Sequence, residues 1–236
     1  MSISLLEHRP RIAILASGEG TTADAYARAI YDQAIDAEVG LVITTKETAG
    51  ICRRVESWNR SWGFDAQLAI VNNELFSAGP RERGQTEAAS TEVCRLLDRT
   101  GIDLVLQLGY MTIANDPYVA EWGFDPSRHD SHLRARALNW HPGLLPLTAD
   151  TFGVKASRIM LESWRRGEIT EAGHTAHVLA QEVDGGATIV QTPVPIEPTD
   201  TPESLRNRLH LLERAVTPYI PGLYLKIQQD FLIEAQ

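Results

Sequence analysis

The chain has 236 residues, of which 43% are hydrophobic and 22% charged. That length fits one domain, or one domain with a small subdomain, and the apolar content supplies a sizeable core. The formal net charge of −9 argues against a nucleic-acid or membrane-surface binder, because no basic excess exists to replace phosphate counterions.

Cys52 and Cys94 are the only cysteines. They form neither a zinc-like spacing nor a disulfide framework, so they are expected to pack inside helices in a reducing cytoplasm. Met1 to Pro10 lacks the basic region and apolar run of a signal peptide. No apolar run approaches the roughly 20 residues needed to span a bilayer.

Arg11 to Ala16 is a short apolar run that suits a buried parallel strand. Ser17-Gly18-Glu19-Gly20-Thr21-Thr22 follows, and Ala23 to Ala34 is expected to be helical. A strand, a glycine-rich turn and a helix form a phosphate-binding arrangement, because free N–H groups at the helix start point at the anion. Gly18, Gly20 and Ala23 also satisfy the dinucleotide pattern G-x-G-x-x-G/A. That pattern needs an acidic residue at the end of the second strand. Ala37 to Thr44 ends instead in Thr44-Thr45-Lys46, which disfavours a nicotinamide enzyme. An ordinary tight turn without a ligand is the other reading, and Glu19 favours it unless its carboxylate points away.

Thr48 to Trp62 reads as a helix stopped by Gly63, and Ala66 to Val71 as a third strand. Asn73 to Gln85 is a polar loop broken by Gly79-Pro80, with Arg81 and Arg83 in it. A helix over Thr86 to Thr100 and a buried strand over Asp103 to Leu108 follow, and that strand ends in the turn Gly109 to Ile113. Asn115 to Trp122 reads as a short helix. Asp125 to Arg136 is polar and irregular. Its His129 and His132 have no third ligand nearby, so no metal site is expected there.

Ala137 to His141 reads as a strand that Pro142 ends. The period of two puts Asn139 and His141 on one side. An amide and an imidazole fixed together at a strand end can stabilise an oxyanion and move a proton. Taken alone, the pair reads more readily as a capped strand end with a hydrogen-bonded core histidine.

A helix over Lys155 to Arg166 comes next, and then a strand over Gly173 to Ala180 with Gly173, Thr175 and His177 on one face. Val183 to Gly186 is a loop, and Ala187 to Ile196 is a strand limited by Pro193 and Pro195. The last expected helix, Pro202 to Thr217, starts with Thr201 as cap and ends before Pro218. Alternating strands and helices imply an α/β fold: an open, mostly parallel twisted sheet with helices on both faces. The expected organisation is a single domain, with a phosphate-loop half over about 10–110 and a catalytic half over about 111–225. Ligands of such sheets bind at the carboxyl ends of the strands. The glycine loop, Gly109 to Ile113 and Asn139 to His141 all fall there.

In this order the pieces resemble the folate-dependent formyltransferases, most closely the branch that formylates phosphoribosylglycinamide in purine synthesis. The matching pieces are Ser17-Gly18-x-Gly20, Leu108-Gly109-Tyr110-Met111, Asn139-x-His141-Pro142-x-Leu144-Leu145-Pro146 and Gly153-x-Lys155. They continue with His174-Thr175-x-His177, Glu182-x-Asp184-Gly185-Gly186 and Glu213. The resemblance runs from about Arg11 to Leu225. It implies a Rossmann-like formyltransferase fold and transfer of a formyl group from the cosubstrate 10-formyltetrahydrofolate to a primary amine, without a metal. It also implies a catalytic trio of Asn139, His141 and Asp184, with His177 as support. The substrate phosphate would lie on Gly18, Gly20, Thr21 and Thr22, and the rest of the substrate near Glu213 and His210. The folate would lie along Met111, Thr112, Ile113 and Val183. A small-molecule amine and a folate are the expected partners, and a homodimer is compatible with this reading.

The chain departs from the family pattern at the first loop, where Glu19 and Thr21-Thr22 stand in place of asparagine and serine-asparagine. Thr112 replaces a commonly basic residue, and Lys155 takes a position often held by histidine. The donor chemistry is therefore more firmly indicated than the acceptor. Another amine, such as an amino sugar or a hydroxylamine-type acceptor, is the second reading, and a non-catalytic folate-binding protein the third.

Overall fold

The computed structural model of the chain describes residues 8–73 and 84–234. The expected loop with Gly79-Pro80, Arg81 and Arg83 falls almost wholly outside them.

Five short strands, β1 (Arg11–Leu15), β2 (Glu38–Thr44), β3 (Gln67–Ile70), β4 (Leu104–Gln107) and β5 (Ala137–His141), run parallel. Two longer strands, β6 (Glu171–Val178) and β7 (Thr188–Pro195), run antiparallel to their neighbours. The sheet order is β3-β2-β1-β4-β5-β6-β7. The order therefore reverses between β1 and β4, which opens a crevice at their carboxyl ends. Here Ser17 N–H donates to the Gly109 carbonyl at 3.1 Å, and Met111 N–H donates to Ser17 Oγ at 3.2 Å. The glycine loop and the turn after β4 are thus tied together.

The buried strands read as continuous apolar runs because helices cover both faces. On one face lie α1 (Thr21–Tyr31), α2 (Gly50–Trp62) and the C-terminal helix α7 (Ile220–Glu234), which pack Tyr26, Trp58 and Tyr224 against Ile12, Ile14 and Leu106. On the other lie α3 (Glu87–Arg99) and α4 (Tyr118–Trp122), which pack Val93, Leu97 and Trp122 against Ala13, Leu15 and Val105. A satellite core joins α5 (Val154–Arg165) and α6 (Pro202–Val216) to the far end of β6 and β7 through Met160, Leu161, Leu205 and Leu209.

The expected elements are present with shifted ends: the first helix begins at Thr21, and β6 stops at Val178. One expectation is corrected, because Pro202–Val216 is not the last helix. A 3-10 turn over Thr217–Tyr219 leads straight into α7. α6 ends before Pro218 as expected, and Pro218 and Pro221 then stand in the first turns of the segments that follow, positions where proline is tolerated. The loop 125–136 also holds a 3-10 turn, His132–Arg134. His132 stacks 3.8 Å from the Phe124 ring, and His129 Nδ1 accepts from Asp125 N–H at 3.3 Å. No group of three or more metal-ligating side chains occurs among the described residues.

Candidate active site

Asn139 and His141 project from the same face of β5, and the antiparallel β6 sets His177 opposite Asn139 and Thr175 opposite His141. The loop after β6 then folds back across this face. Gly186 permits the close approach, since a Cβ there would collide with the Val178 carbonyl. Asp184, at φ 55, turns its carboxylate onto the two histidines. Its Oδ2 lies 3.2 Å from His141 Nδ1 and its Oδ1 lies 3.6 Å from His177 Nε2. Oδ2 also accepts from Asp150 N–H at 3.1 Å.

These contacts fix donor and acceptor roles. The Val178 carbonyl, 3.0 Å from His177 Nδ1, can only accept, so Nδ1 carries the proton. Nε2 of a neutral His177 then accepts from Asn139 Nδ2 at 3.0 Å. Burial holds His177 below the ordinary histidine pKa despite the opposing pull of Asp184, which keeps this ring neutral. Burial alone would raise the Asp184 carboxyl. The hydrogen bond and charge of His141, the charge of His177 and the Asp150 amide outweigh it, so Asp184 lies below the usual carboxylate range. The arrangement can therefore present amide and imidazole N–H groups to a developing oxyanion, with a carboxylate behind the imidazole. His141 Nε2, however, already meets Thr148 Oγ1 at 2.9 Å. Thr148 sits in a loop with no sequence pattern to mark it.

The glycine loop approaches the same sheet edge from the opposite face. Gly20, at φ 67, caps α1 without a side-chain bond, leaving the first amides of the helix for an anion. Thr22 is engaged: its hydroxyl donates to Glu213 Oε1 at 2.6 Å. Burial raises Glu213 above the ordinary carboxyl range, partly offset by Thr22, Arg214 and Arg206. His210 lies below the ordinary histidine range through burial and the charges of Arg206 and Arg214. Glu19 points away from the amides and toward α2, where Arg53 lies 3.7 Å from its carboxylate and Arg54 Nε donates to its carbonyl at 2.6 Å. Arg54 also pairs with Asp24 at 3.0 Å. Nothing in the sequence sets Arg53 and Arg54 apart from other helix-surface charges, because their tie to Glu19 crosses from one element to another.

The turn after β4 exposes Met111 and Ile113, and the neighbouring loops expose Leu147, Phe152 and Val183. The carbonyl of Ile113 accepts from Gln85 N–H at 2.8 Å, and Thr112 lies between Met111 and Ile113 in this turn. Exposed apolar groups beside backbone polar atoms suit a flat heteroaromatic ligand.

The fold and this constellation define an open α/β protein with a candidate active site at the carboxyl ends of its strands. A formyl transferase sequence profile matches residues 10–220, and the chain belongs to that family. It is 27% identical over 208 residues to phosphoribosylglycinamide formyltransferase of Dictyostelium discoideum, covering 86% of this chain and 91% of that one. It is also 32% identical over 216 residues to the trifunctional purine biosynthetic protein adenosine-3 of Drosophila pseudoobscura pseudoobscura, covering 91% of this chain. The chain spans only 14% of that protein's length. The crystal structure of phosphoribosylglycinamide formyltransferase from Bacillus halodurans superposes with a TM-score of 0.67 at 26% identity, covering 96% of this chain and 97% of that one. No helix among the described residues is long and apolar enough to cross a membrane.

Proposed function

We propose that the chain transfers a formyl group from 10-formyltetrahydrofolate to the primary amine of phosphoribosylglycinamide. The observation that carries this reading is the meeting of Asn139, His141 and Asp184 with the glycine loop and Glu213 at one sheet edge. The amine nitrogen attacks the formyl carbon and forms a tetrahedral intermediate. Asn139, with one N–H committed to His177, gives its other N–H to the oxyanion. His141 donates to the same oxygen, and Asp184 holds the ring in orientation. The amine gives up a proton and the folate nitrogen gains one as its bond to the formyl carbon breaks. Formylated amine and tetrahydrofolate are the products.

The first amides of α1 receive the phosphate, and Glu213 and His210 line the remainder of the acceptor. Met111, Thr112, Ile113 and Val183 take the folate, whose flat pterin suits the exposed apolar side chains there. The single-domain organisation belongs to the same reading and is supported by the one continuous sheet. A cytoplasmic location is supported by the free, buried Cys52 and Cys94. Assembly as a homodimer is tested by sedimentation equilibrium.

The test is an assay of purified protein with 10-formyltetrahydrofolate and phosphoribosylglycinamide, repeated with His141→Ala and Asp184→Ala. Turnover that survives both substitutions defeats the mechanism. A second reading, formyl transfer to a different amine, is favoured by the Thr22–Glu213 bond, which occupies the hydroxyl at the start of α1. Turnover of another amine with none of phosphoribosylglycinamide decides for it.

A further inference from the structure

The turn after β5 touches both members of the His141–Asp184 pair. Asp150 N–H donates to Asp184 Oδ2 at 3.1 Å, and Thr148 Oγ1 stands 2.9 Å from His141 Nε2. Thr148 is fully buried. The turn is held from several sides. Gly143 makes room for Thr148, since a Cβ there would collide with Oγ1. Thr151 Oγ1 donates to the Thr148 carbonyl at 2.5 Å, and Thr175 Oγ1 donates to the Gly143 carbonyl at 2.8 Å while accepting from Leu145 N–H at 3.2 Å.

We propose that Thr148 is a positioning residue for His141, its hydroxyl holding the imidazole in place in either protonation state until the formyl oxygen takes over the Nε2–H. The inference rests on the reading of His141 as a group that works on the formyl oxygen. A hydroxyl has one proton to donate and two lone pairs to accept with. In one state Thr148 donates to the Leu144 carbonyl at 2.9 Å. A lone pair of the hydroxyl then accepts a hydrogen bond from Nε2–H, while Nδ1–H is held by Asp184, so both ring nitrogens donate. When the ring is neutral, Nδ1–H stays on Asp184 and the Thr148 proton rotates onto Nε2. The Leu144 carbonyl is still paired in that state, because Thr148 N–H donates to it at 3.0 Å. Without substrate, neither state leaves a buried polar atom unmatched, so the ring waits in one orientation and exchanges only its Thr148 contact for the formyl oxygen when substrate binds. A methyl group in place of the hydroxyl satisfies neither state.

The test compares Thr148→Val, which keeps the shape, with Thr148→Ser, which keeps the hydroxyl. With formyl transfer as readout, T148V should lose about 10- to 100-fold in kcat, as expected for a misplaced catalytic group, with the donor KM within about threefold. T148S should recover most of that loss. With histidine-15N NMR of the substrate-free protein, T148V should displace the His141 Nε2 resonance, assigned by its disappearance in His141→Gln, and T148S should leave it in place. Thermal unfolding checks that each variant folds. Wild-type kcat with an unmoved Nε2 resonance in T148V overturns the proposal, and so does equal impairment by valine and serine. If the wild type transfers no formyl group, the functional reading fails, while the NMR comparison still decides the role of Thr148.

Discussion

The side-chain amide of Asn139 donates to Nε2 of His177 at 3.0 Å, and that bond exists only because β6 runs antiparallel to β5 and sets the two residues opposite each other. The Val178 carbonyl fixes the ring tautomer, the tautomer fixes the amide, and the amide is then oriented before any substrate arrives.

Replacing His177 with Leu frees the Asn139 amide to rotate. Formyl transfer should fall by about 100-fold or more in kcat, in line with loss of a preorganised oxyanion donor. The acceptor KM should stay near wild type, because Glu213 and the glycine loop are untouched. Steady-state kinetics of the purified variant check this split.

His174 predicts a pH dependence of stability. It is buried on the opposite face of β6 from His177, and neither ring nitrogen has a hydrogen-bond partner among the described residues. Burial, aided by the charge of His210, pushes its pKa from 6.5 down to about 4. Below pH 6.5 the unfolded chain takes up this proton and the native chain does not. The stabilisation present above that pH is therefore lost as pH falls toward 4, by about 3 kcal/mol. His177 shifts in the same direction and adds to the slope, and Asp184 extends the loss below the usual carboxylate range. Urea unfolding at pH 7 and pH 4.5 should show a smaller loss in His174→Leu than in the wild type.

Glu213 sets function against stability. Its carboxyl is raised by burial, so the stability it contributes when protonated is lost as pH rises through its native pKa. At neutral pH, Glu213→Gln should raise Tm while lifting the acceptor KM by about tenfold or more through loss of a charged hydrogen bond. A calorimetric scan and an acceptor titration of the same preparation test both halves.

Gly186→Ala drives a methyl group into the Val178 carbonyl. Overpacking of this kind costs about 1–3 kcal/mol. Relief requires the loop after β6 to lift, which carries Asp184 away from His141, so kcat should fall together with Tm. Retention of both in the variant would show that the loop closes without this approach.

The sequence discloses these features unevenly. Asn139 and His141 are legible because a strand alternates and Pro142 ends it. Asp184 has no local signal beyond a turn before two glycines, and it is found only through the resemblance. Thr148 lies in an aperiodic loop, where nothing distinguishes a hydroxyl set against the His141 ring from one in water. Arg53 and Arg54 look like any charges on a helix, because a tie to Glu19 crosses from one element to another. Helix α7 is hidden by two prolines and by apolar residues all round, which leave no stripe to count.

The trio stands on one face of the sheet, whereas Thr22, His210 and Glu213 stand on the other, and the two groups meet only at the strand ends. Under the proposed function, donor chemistry and acceptor choice are therefore separately mutable. Substitutions in α1 and α6 can trade one amine for another without disturbing β5 and β6, so a lineage could change clients while keeping its reaction.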